Sequence, residues 1–452
     1  MTRFTLDDRR LRRLRRGRSR AVKVTALAAA VSLIAACGAG GRDESAEASE
    51  GSTVGITDTS VKIGAHFPLT GVAAPGYSEI PTGAQAYFDY VNAAGGVNGR
   101  QIEYVVRDDS YDPTTTTQVV NELVLQDEVF AVVGGLGTAT HSAVIDFLNE
   151  EGVPDLFVSS GAIMWGNDPE KYPNTFGWQP DYQVEGKIIG DWVKKNRPDA
   201  KVGLFLQDDD LGRDSEVAVR QYLDDQIVEV VRYTSGNTDV APQIAALQGA
   251  GADLVLGFNV PSYTALSQLT SMRLNYDPEW FYSSIGSDVD LVGSLLGRFS
   301  QGAVTNGAES LEGMISLEYI PGVDSPDNAW TQLWQKVWAE NGTGDPLTNY
   351  RIYGLSQAYA FVQALQAAGE NPTREGIVAA IADGGMDFEG PQLAPFRYSD
   401  TSHLGISGAS VFQIQGGVPE YLTPVLQTDI GDSPVVEYTG EESTPPESGI
   451  PE

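Results

Sequence analysis

One stretch of the sequence sets the class of fold: VKIGAHFPLTGVAAPGYSEIPTGAQAYFDYVNAAGGVNGRQIEYVVRDD, residues 61–109. Residues 61–67 form an apolar run that ends at Pro68, which predicts a strand. Residues 102–107 repeat that pattern after the turn signal Gly95-Gly96. Between the two runs, apolar side chains recur at the spacing of one helix face, at Ile80, Ala84, Phe88 and Val91. This order of strand, helix and strand predicts parallel pairing of the two strands.

The alternation of strands and helices continues along the chain. It predicts a helix at residues 114–126, a strand at 130–133, a helix at 138–150 and a strand at 155–158. In a second run, strands are predicted at residues 202–206, 227–233 and 253–258, and helices between them at residues 215–223 and 241–250. Repeated units of this kind build parallel sheets with helices on both faces. The chain is therefore predicted to be an α/β protein with two doubly wound lobes. A helix near residues 330–338 carries a stripe that we interpret as core: Trp330, Leu333, Trp334, Val337 and Trp338.

The N-terminus has the organisation of an export signal. Ten of the 29 basic residues precede Cys37, and a charge-free apolar run, residues 24–36, follows them. That run is too short to span a bilayer but has the length of a signal-peptide core. Its end, Ile34-Ala35-Ala36-Cys37, resembles the lipobox of bacterial lipoproteins, whose cysteine is acylated. We predict a lipoprotein signal peptide at residues 1–36 and lipidation at Cys37, the only cysteine. The alternative is an ordinary secretory signal with a chance cysteine.

Charge and composition exclude some functions and divide the body from its ends. The net charge is -32 although the N-terminus is basic, so the body would repel a nucleic acid, and no nucleic-acid partner is expected. Residues 37–58 are rich in Gly, Ser and Glu, and residues 429–452 are acidic and contain several prolines. Neither stretch has an apolar period, so we predict a flexible tether and a disordered acidic tail.

Few patterns in the body point to chemistry. The three histidines, His66, His141 and His403, have no ligand spacing, so we predict no metal site and no catalytic triad. Residues 134–140 follow a strand and open a helix but lack the third glycine of the dinucleotide fingerprint. Their glycines would still allow backbone N–H groups and the Thr138 hydroxyl to face an anion. We predict an anion site and no cofactor; an enzyme that binds a nucleotide at this turn stays an alternative.

Several motifs then resemble the branched-chain amino-acid-binding family of ABC-transporter solute-binding proteins. The likeness extends from about residue 57 to residue 428. Its motifs are PLTG at residues 68–71, NAAGGVNGR at 92–100, DDSYDP at 108–113 and FEGP at 388–391. The segment KYPNTFGWQP, residues 171–180, is similar to a branch of the family that includes binders of aromatic acids.

The resemblance implies a type I periplasmic-binding-protein fold, in which two doubly wound parallel-sheet lobes are joined by three hinge crossings. The crossings would fall near residues 179–181, 315–319 and 399–402. Lobe 1 would then comprise residues 59–180 and 317–400, and lobe 2 residues 181–316 and 401–428.

The resemblance also implies a ligand site in the cleft between the lobes. The ligand's carboxylate would be held by Thr138, at the start of a helix, and by the loop after the next strand. The implied ligand-binding residues are Gly137, Thr138, Ser159, Ser160, Gly161, Ala162, Trp178, Gln179, Leu211, Asn259 and Ile285.

Two positions depart from the pattern of the amino-acid binders. Leu211 stands where they usually have tyrosine, and Ile285 stands where they place the acid that pairs with the ligand's α-ammonium. A buried ammonium without a counter-charge costs several kcal/mol. We therefore expect desamino or aromatic acids to bind better than the matching α-amino acids.

Together these features predict an extracytoplasmic substrate-binding lipoprotein of an ABC importer. It would capture a small organic ligand, either an amino acid or a carboxylate-bearing or aromatic acid, by hinge closure and without chemical conversion. The expected partners are the small molecule, the membrane through the N-terminal lipid, and an ABC permease; the protein itself is expected to be a monomer at the cell membrane. The alternative for the same fold is a ligand sensor that reports to a membrane receptor.

Overall fold

Lobe 1 is built on a five-stranded sheet in a computed structural model that describes residues 51–451. The strand order is β2-β1-β3-β4-β5, and all neighbours are parallel. Val61 lies opposite Ile102, so the two strands predicted in residues 61–109 are direct neighbours. The elements are β1 (Ser60–Phe67), α1 (Ala74–Tyr77), α2 (Ile80–Ala93), β2 (Gln101–Asp108), α3 (Pro113–Leu125), β3 (Ala131–Val133), α4 (Thr138–Ser142), α5 (Ile145–Glu150), β4 (Asp155–Val158) and β5 (Thr175–Gly177).

Lobe 2 contains a larger, mixed sheet. Its parallel part has the order β7-β6-β8-β9-β10, with Leu204 opposite Leu256 in the centre. Its elements are α6 (Tyr182–Asn196), β6 (Val202–Gln207), α7 (Asp210–Leu223), β7 (Ile227–Tyr233), α8 (Ala241–Ala250), β8 (Leu254–Phe258), α9 (Pro261–Leu274), β9 (Glu279–Tyr282), α10 (Val289–Phe299) and β10 (Ile315–Glu318).

The chain then returns to lobe 1 for three helices before it completes the lobe 2 sheet. The helices are α11 (Ala329–Asn341), α12 (Asn349–Ala367) and α13 (Arg374–Gly384). The last strands are β11 (Gly408–Gln415), β12 (Val418–Tyr421), β13 (Leu426–Gln427) and β14 (Val436–Glu437). β11 is antiparallel to β10, and β12, β13 and β14 extend this antiparallel edge. The two-lobed α/β fold is confirmed, and the antiparallel edge is an addition to the predicted parallel sheets.

The helices of lobe 1 pack closely because glycines face each other's backbone. A Cβ on Gly83 of α2 would lie 2.1 Å from the carbonyl oxygen of Arg351, and one on Gly354 of α12 would lie 2.0 Å from that of Ile80. The two helices can therefore approach without side chains between them. The five residues of the predicted core stripe on α11 are buried, and Trp334 is fully enclosed.

The predicted helix at residues 138–150 is divided into α4 and α5. Val144 lies between them with φ -127° and ψ -10°. The division allows His141 to face inward toward buried polar partners, while Val144 and Leu148 pack in an apolar cluster under the sheet. A single straight helix would not place both His141 against its polar partners and Leu148 in the apolar cluster.

The third crossing lies a few residues later than expected. Residues 399–402 form a turn in which Ser399 and Ser402 bond each other through their backbones. His403 still contacts lobe 1, since its Nδ1 lies 3.0 Å from the Thr175 carbonyl oxygen. The chain crosses at residues 405–408, where the Ile406 N–H donates to the Trp178 carbonyl oxygen at 2.9 Å. Residues 401–404 therefore belong with lobe 1, because their partners are there.

The C-terminal stretch is ordered, which corrects the prediction of a disordered tail at residues 429–452. After β14 it runs back over the helices of lobe 1, and Ile450 packs against the lobe 1 core. The composition is polar, but the carbonyl groups of the stretch satisfy side-chain donors of buried aromatic and amide residues. The bonds join Trp330 Nε1 to Ser443 O at 2.9 Å, Tyr87 Oη to Gly449 O at 2.9 Å and Gln366 Nε2 to Pro451 O at 2.7 Å.

The predicted tether is only partly within the described residues. Cys37, the predicted signal peptide at residues 1–36 and residues 37–50 lie outside them. Residues 51–58 contact the body: the Ser52 N–H donates to the Glu375 carboxylate at 2.7 Å, and Ile56 pairs with Val61. The ordered body therefore begins before residue 59. Within residues 51–451, no helix is both long and apolar enough to cross a membrane.

Candidate ligand-binding site

A cavity of about 200 Å³ lies between the two lobes, at the carboxyl ends of both parallel sheets. The loops after β2, β3 and β4 supply its wall in lobe 1, and those after β8, β9 and β10 supply its wall in lobe 2. Open α/β sheets bind their ligands at this edge. Six tyrosines line the cavity: Tyr77, Tyr111, Tyr182, Tyr319, Tyr350 and Tyr353.

A ring of three hydroxyl groups lies where the two lobes meet, with Thr138 and Ser160 from lobe 1 and Tyr182 from the start of α6 in lobe 2. Thr138 Oγ1 lies 2.9 Å from Ser160 Oγ and 2.9 Å from Tyr182 Oη, and the latter two are 3.1 Å apart. Burial raises the pKa of the Tyr182 phenol well above its usual value, so all three groups stay protonated. Each hydroxyl can therefore rotate its hydrogen toward a ligand oxygen.

The backbone before Thr138 requires a glycine. Gly137 has φ +109°, and a Cβ there would lie 2.2 Å from Thr140 Oγ1 and 2.7 Å from the Tyr111 ring. This residue brings the start of α4 against the cavity. The hydroxyl of Thr138 and the first N–H groups of α4 consequently face the space between the lobes.

The amide of Gln179 is the second polar feature of the cavity. Its Oε1 accepts a hydrogen bond from Tyr353 Oη at 3.0 Å, and the side chain is 6% exposed. Its Nε2 has no acceptor among the described residues. A buried donor without a partner costs about 1–3 kcal/mol, so an acceptor from a ligand or a water is expected at this position.

Six of the eleven predicted ligand-binding residues line the cavity: Gly137, Thr138, Ser159, Gln179, Leu211 and Ile285. Ser160 lies behind them and completes the hydroxyl ring. The remaining four are placed behind the wall.

The four residues behind the wall face other partners. Trp178 packs edge-on against the Tyr353 ring with centroids 4.7 Å apart. Asn259 donates from Nδ2 to the Thr264 hydroxyl, and its neighbour Val260 lines the cavity instead. The Gly161 carbonyl oxygen accepts the Tyr182 N–H at 2.7 Å, and Ala162 is buried in an apolar cluster to which both lobes contribute.

None of the six tyrosines is among the residues predicted from the sequence to bind the ligand. Tyr182 follows Gln179 by three residues, and Tyr350 and Tyr353 are three residues apart on one helix, but this spacing is equally typical of a core face. Only the packing of α12 against α2 shows that these rings face the cleft.

The electrostatics of the cavity are acidic on the lobe 2 side. Four carboxyl groups line it, and none of the described lining residues is Lys, Arg or His. Burial raises the pKa of Glu318 to about 7. Ile285 lines the cavity as expected, and Asp288 lies three residues further on, so the absence of a counter-charge for a ligand's ammonium at Ile285 stays a prediction. Asp288 is already occupied, because it accepts from the Leu291 N–H at 2.8 Å and from Asn349 Nδ2 at 2.8 Å.

Hydrogen bonds also join the lobes across the cleft. Tyr77 Oη donates to the Ile285 carbonyl oxygen at 3.2 Å, and Ser262 Oγ donates to the Val72 carbonyl oxygen at 2.7 Å. Asn349 belongs to lobe 1 and Asp288 to lobe 2, so their bond is a third contact across the cleft. The lobes thus meet around the cavity in addition to being joined at the crossings.

These features define a two-lobed ligand-binding protein with its site at the interlobe cleft. The sequence profile of the family described as periplasmic binding protein matches residues 60–418. The chain belongs to this family, as the motifs in residues 61–135 predicted, and it is an extracytoplasmic solute-binding protein. The family is one of binding proteins rather than enzymes.

Individual relatives share this fold over most of their length. The Leu/Ile/Val-binding protein homolog 3 of Brucella melitensis is 24% identical over 389 residues, which are 81% of this chain and 95% of the relative. A branched-chain amino acid ABC transporter structure from Thermus thermophilus, with bound valine, has a TM-score of 0.70 at 20% identity and covers 82% of this chain and 98% of its own. A solute-binding protein of R. palustris in complex with benzoate has a TM-score of 0.67 at 17% identity and covers 84% and 98%.

Proposed function

We propose that this protein is the ligand-capturing lipoprotein of an ABC importer, and that it holds a small carboxylate-bearing molecule with an apolar or aromatic body. One observation carries the proposal. The cavity between the lobes combines hydrogen-bond donors on the lobe 1 side, at Thr138 and Gln179, with a wall of six tyrosines.

The hydrogen-bond donors at Thr138 and Gln179 suit a carboxylate, although none of the described lining residues is a lysine or an arginine. The ring of hydroxyls at Thr138 can supply O–H donors, the Gln179 amide has a free N–H, and α4 begins here with unpaired backbone N–H groups. Hydrogen bonds to a charged group contribute about 1.5–3 kcal/mol each. Two or three of them are sufficient to orient a small acid.

The rest of the wall suits an apolar body. Leu136, Leu211, Val260 and Ile285 complement the tyrosine rings, which provide flat apolar faces. The relatives with solved structures hold valine in one case and benzoate in another. Both ligands are small acids with an apolar body, which agrees with this cavity.

The ligand class is tested with matched pairs of acids. The pairs are phenylalanine with 3-phenylpropanoate, and leucine with 4-methylpentanoate, together with benzoate. Thermal unfolding of the purified protein identifies binders, since a ligand at 100 times its Kd stabilises by about 2.7 kcal/mol, and titration calorimetry then gives each Kd.

The proposal expects at least one acid to bind and each desamino acid to bind more tightly than its amino acid. A clear preference for the amino acids would assign the ammonium to the lobe 2 carboxyls and overturn the narrower ligand class. Binding of uncharged amides with equal affinity would overturn the carboxylate site.

A further inference from the structure

A buried chain of four titratable side chains lies beneath the lobe 1 wall of the cavity. Asp109 Oδ2 is 2.7 Å from His66 Nδ1, His66 Nε2 is 2.9 Å from His141 Nδ1, and His141 Nε2 is 2.9 Å from Asp155 Oδ2. All four side chains have no exposed surface. The proposed capture of a ligand does not use any of them directly.

The geometry fixes the number of protons that the chain must hold. Each of its three hydrogen bonds needs one proton between its two heavy atoms. Two neutral histidines and two carboxylates bring only two protons. With two, either the His66 and His141 nitrogens face each other as bare lone pairs, or a carboxylate faces a bare ring nitrogen, and both arrangements are repulsive at these distances.

We propose that the chain Asp109–His66–His141–Asp155 holds three protons at neutral pH, and that it positions the two lobe 1 segments that carry Tyr111 and Thr138. The third proton belongs either to an imidazolium or to one of the two carboxylic acids. The chain then has a net charge of minus one in both cases. Burial lowers the pKa of His66, because the interior disfavours the charged form of its ring.

Two parts of the cavity wall contact the chain, one at Asp109 and the other at the two facing histidines. Asp109 Oδ1 accepts the Tyr111 N–H at 2.9 Å, and Tyr111 lines the cavity. His141 lies on α4, one turn after Thr138. A Cβ on Gly135 would lie 2.7 Å from both facing ring nitrogens, so the loop between β3 and α4 rests directly on the chain. Loss of the third proton would make the chain repulsive and displace both segments.

Few other groups face the chain. Thr116 Oγ1 donates to Asp109 at 3.2 Å, Thr175 Oγ1 donates to Asp155 at 3.0 Å, and the Trp165 ring packs edge-on against His141. The other titratable groups nearby are Tyr111 and, beyond Thr175, His403. Among residues 51–451, no lysine or arginine bonds to either carboxylate, so no fixed positive charge replaces the proton.

The sign of the pH dependence follows from the proton count. Above about pH 7 the unfolded chain keeps two of these protons while the folded chain keeps three. The folding equilibrium constant should then fall about tenfold per pH unit from this source, until the third proton leaves the folded state. Below the ordinary pKa of histidine both imidazoles of the unfolded chain become protonated and it holds more protons than the folded chain, so this contribution is largest near that pKa and falls on either side of it.

The proton count is measured on the wild-type protein without a ligand. Only three histidines are present, so ¹⁵N-histidine labelling gives a simple spectrum. We expect three exchange-protected protons downfield of the amide region at pH 7, in addition to any signal from the separate His403 ring, with ring couplings that place them along the chain. Two such protons would overturn the proposal.

The coupling is measured with Asp155→Asn, whose amide Nδ2–H supplies the third hydrogen bond permanently. Denaturant unfolding at pH 7, 8 and 9 should show that wild type loses about tenfold in equilibrium constant per pH unit relative to the variant, and the exposed Asp199→Asn should follow wild type. Parallel slopes for wild type and Asp155→Asn would contradict the proposal. If the variant does not fold, the wild-type proton count still decides.

The proposal that the chain positions Tyr111 and Thr138 for ligand binding rests on the proposed function, and it is tested by a separate measurement. The Kd of the tightest acid of the matched pairs should rise from pH 7 to pH 9 in wild type and stay constant in Asp155→Asn. An equal rise in both proteins would reject the positioning role. A failure of every acid to bind would reject the proposed function and leave the proton count and the unfolding slopes to test the chain.

Discussion

Thr138 is the residue on which ligand binding is expected to depend most. Its hydroxyl is shared with Ser160 and Tyr182, and its side chain is 2% exposed. Replacement by valine keeps the shape and removes the donor. It also removes one hydrogen bond from each of the other two hydroxyls of the ring, which then bond only each other at 3.1 Å.

Thr138→Val should therefore weaken binding of the tightest acid by tenfold or more, since about 1.4 kcal/mol is a factor of ten. Thr138→Ser keeps the hydroxyl and should bind within a few fold of wild type. Calorimetry on the three proteins measures the effect. Equal affinity of wild type and Thr138→Val would remove the carboxylate site from this ring.

Glu185 gives a prediction about stability. It is fully buried on α6, accepts from the Ser284 hydroxyl, and its Oε2 has no partner among the described residues. Burial raises the pKa of Glu185 to about 8. A raised acid pKa means that the folded state holds a proton that the unfolded state loses near pH 4.5, so stability falls as the pH rises from about 5 to 8.

Glu185→Gln is neutral at every pH and imitates the protonated acid. The variant should gain stability over wild type progressively between pH 5 and pH 8, by up to a few kcal/mol, because each pH unit contributes about 1.4 kcal/mol. Denaturant unfolding across this range measures the difference, with the exposed Glu170→Gln as control. A difference that does not change with pH would show that Glu185 is ionised in the folded state.

Some residues of the site could be predicted from the local sequence, and others could not. Gly137 and Thr138 could be predicted because a strand, a glycine turn and a helix start follow each other in the chain. Tyr77, Tyr350 and Tyr353 could not, because their faces depend on how α12 packs against α2. Val260 lines the cavity rather than the predicted Asn259 next to it, since alternate positions at a strand end face opposite sides.

Among the elements, the C-terminal stretch after β14 is a structural part of lobe 1. It supplies acceptors to Trp330 and Tyr87, whose side chains are buried. It starts at the edge of the lobe 2 sheet and ends on lobe 1, so it adds a covalent connection to the three crossings.

Removal of residues 441–452 should lower the thermal midpoint, because it exposes aromatic surface and removes at least five hydrogen bonds to the rest of the chain, at about 1 kcal/mol each. The double variant Glu441→Gln and Glu442→Gln removes charge from the same stretch and should unfold like wild type. Scanning calorimetry of the three proteins makes the comparison. A truncated protein as stable as wild type would show that these contacts contribute nothing.

The regular elements could be predicted wherever the apolar period is continuous. The helix at residues 241–250 and the strand at residues 155–158 have the predicted bounds. The antiparallel edge beyond β11 could not be predicted, because β12, β13 and β14 are short and β14 is exposed on both faces. The order of the tail was missed because its stabilising bonds come from lobe 1 side chains rather than from its own composition.

For the whole molecule, the N-terminus should decide where the protein is located. Cys37 is the only thiol that can accept a lipid. Cys37→Ser should move the protein from washed membranes to the soluble fraction, as measured by fractionation and immunoblotting. The size of the product shows whether the signal was removed. A processed variant that stays on membranes would contradict lipid anchoring.

Ligand capture between the two lobes is the central feature of the proposed function. The cavity wall comes from both lobes, and hydrogen bonds join them across the cleft, among them those of Tyr77, Ser262 and Asn349. A ligand that contacts both walls stabilises the closed arrangement, because it binds that state better than an open one.

Small-angle scattering of the protein, with and without the tightest-binding acid, tests this directly. We predict a smaller radius of gyration for the ligand-saturated protein than for the free protein. Thr138→Val should need a correspondingly higher ligand concentration for the same change. An unchanged scattering profile at a concentration where calorimetry shows full occupancy would contradict capture by closure of the two lobes.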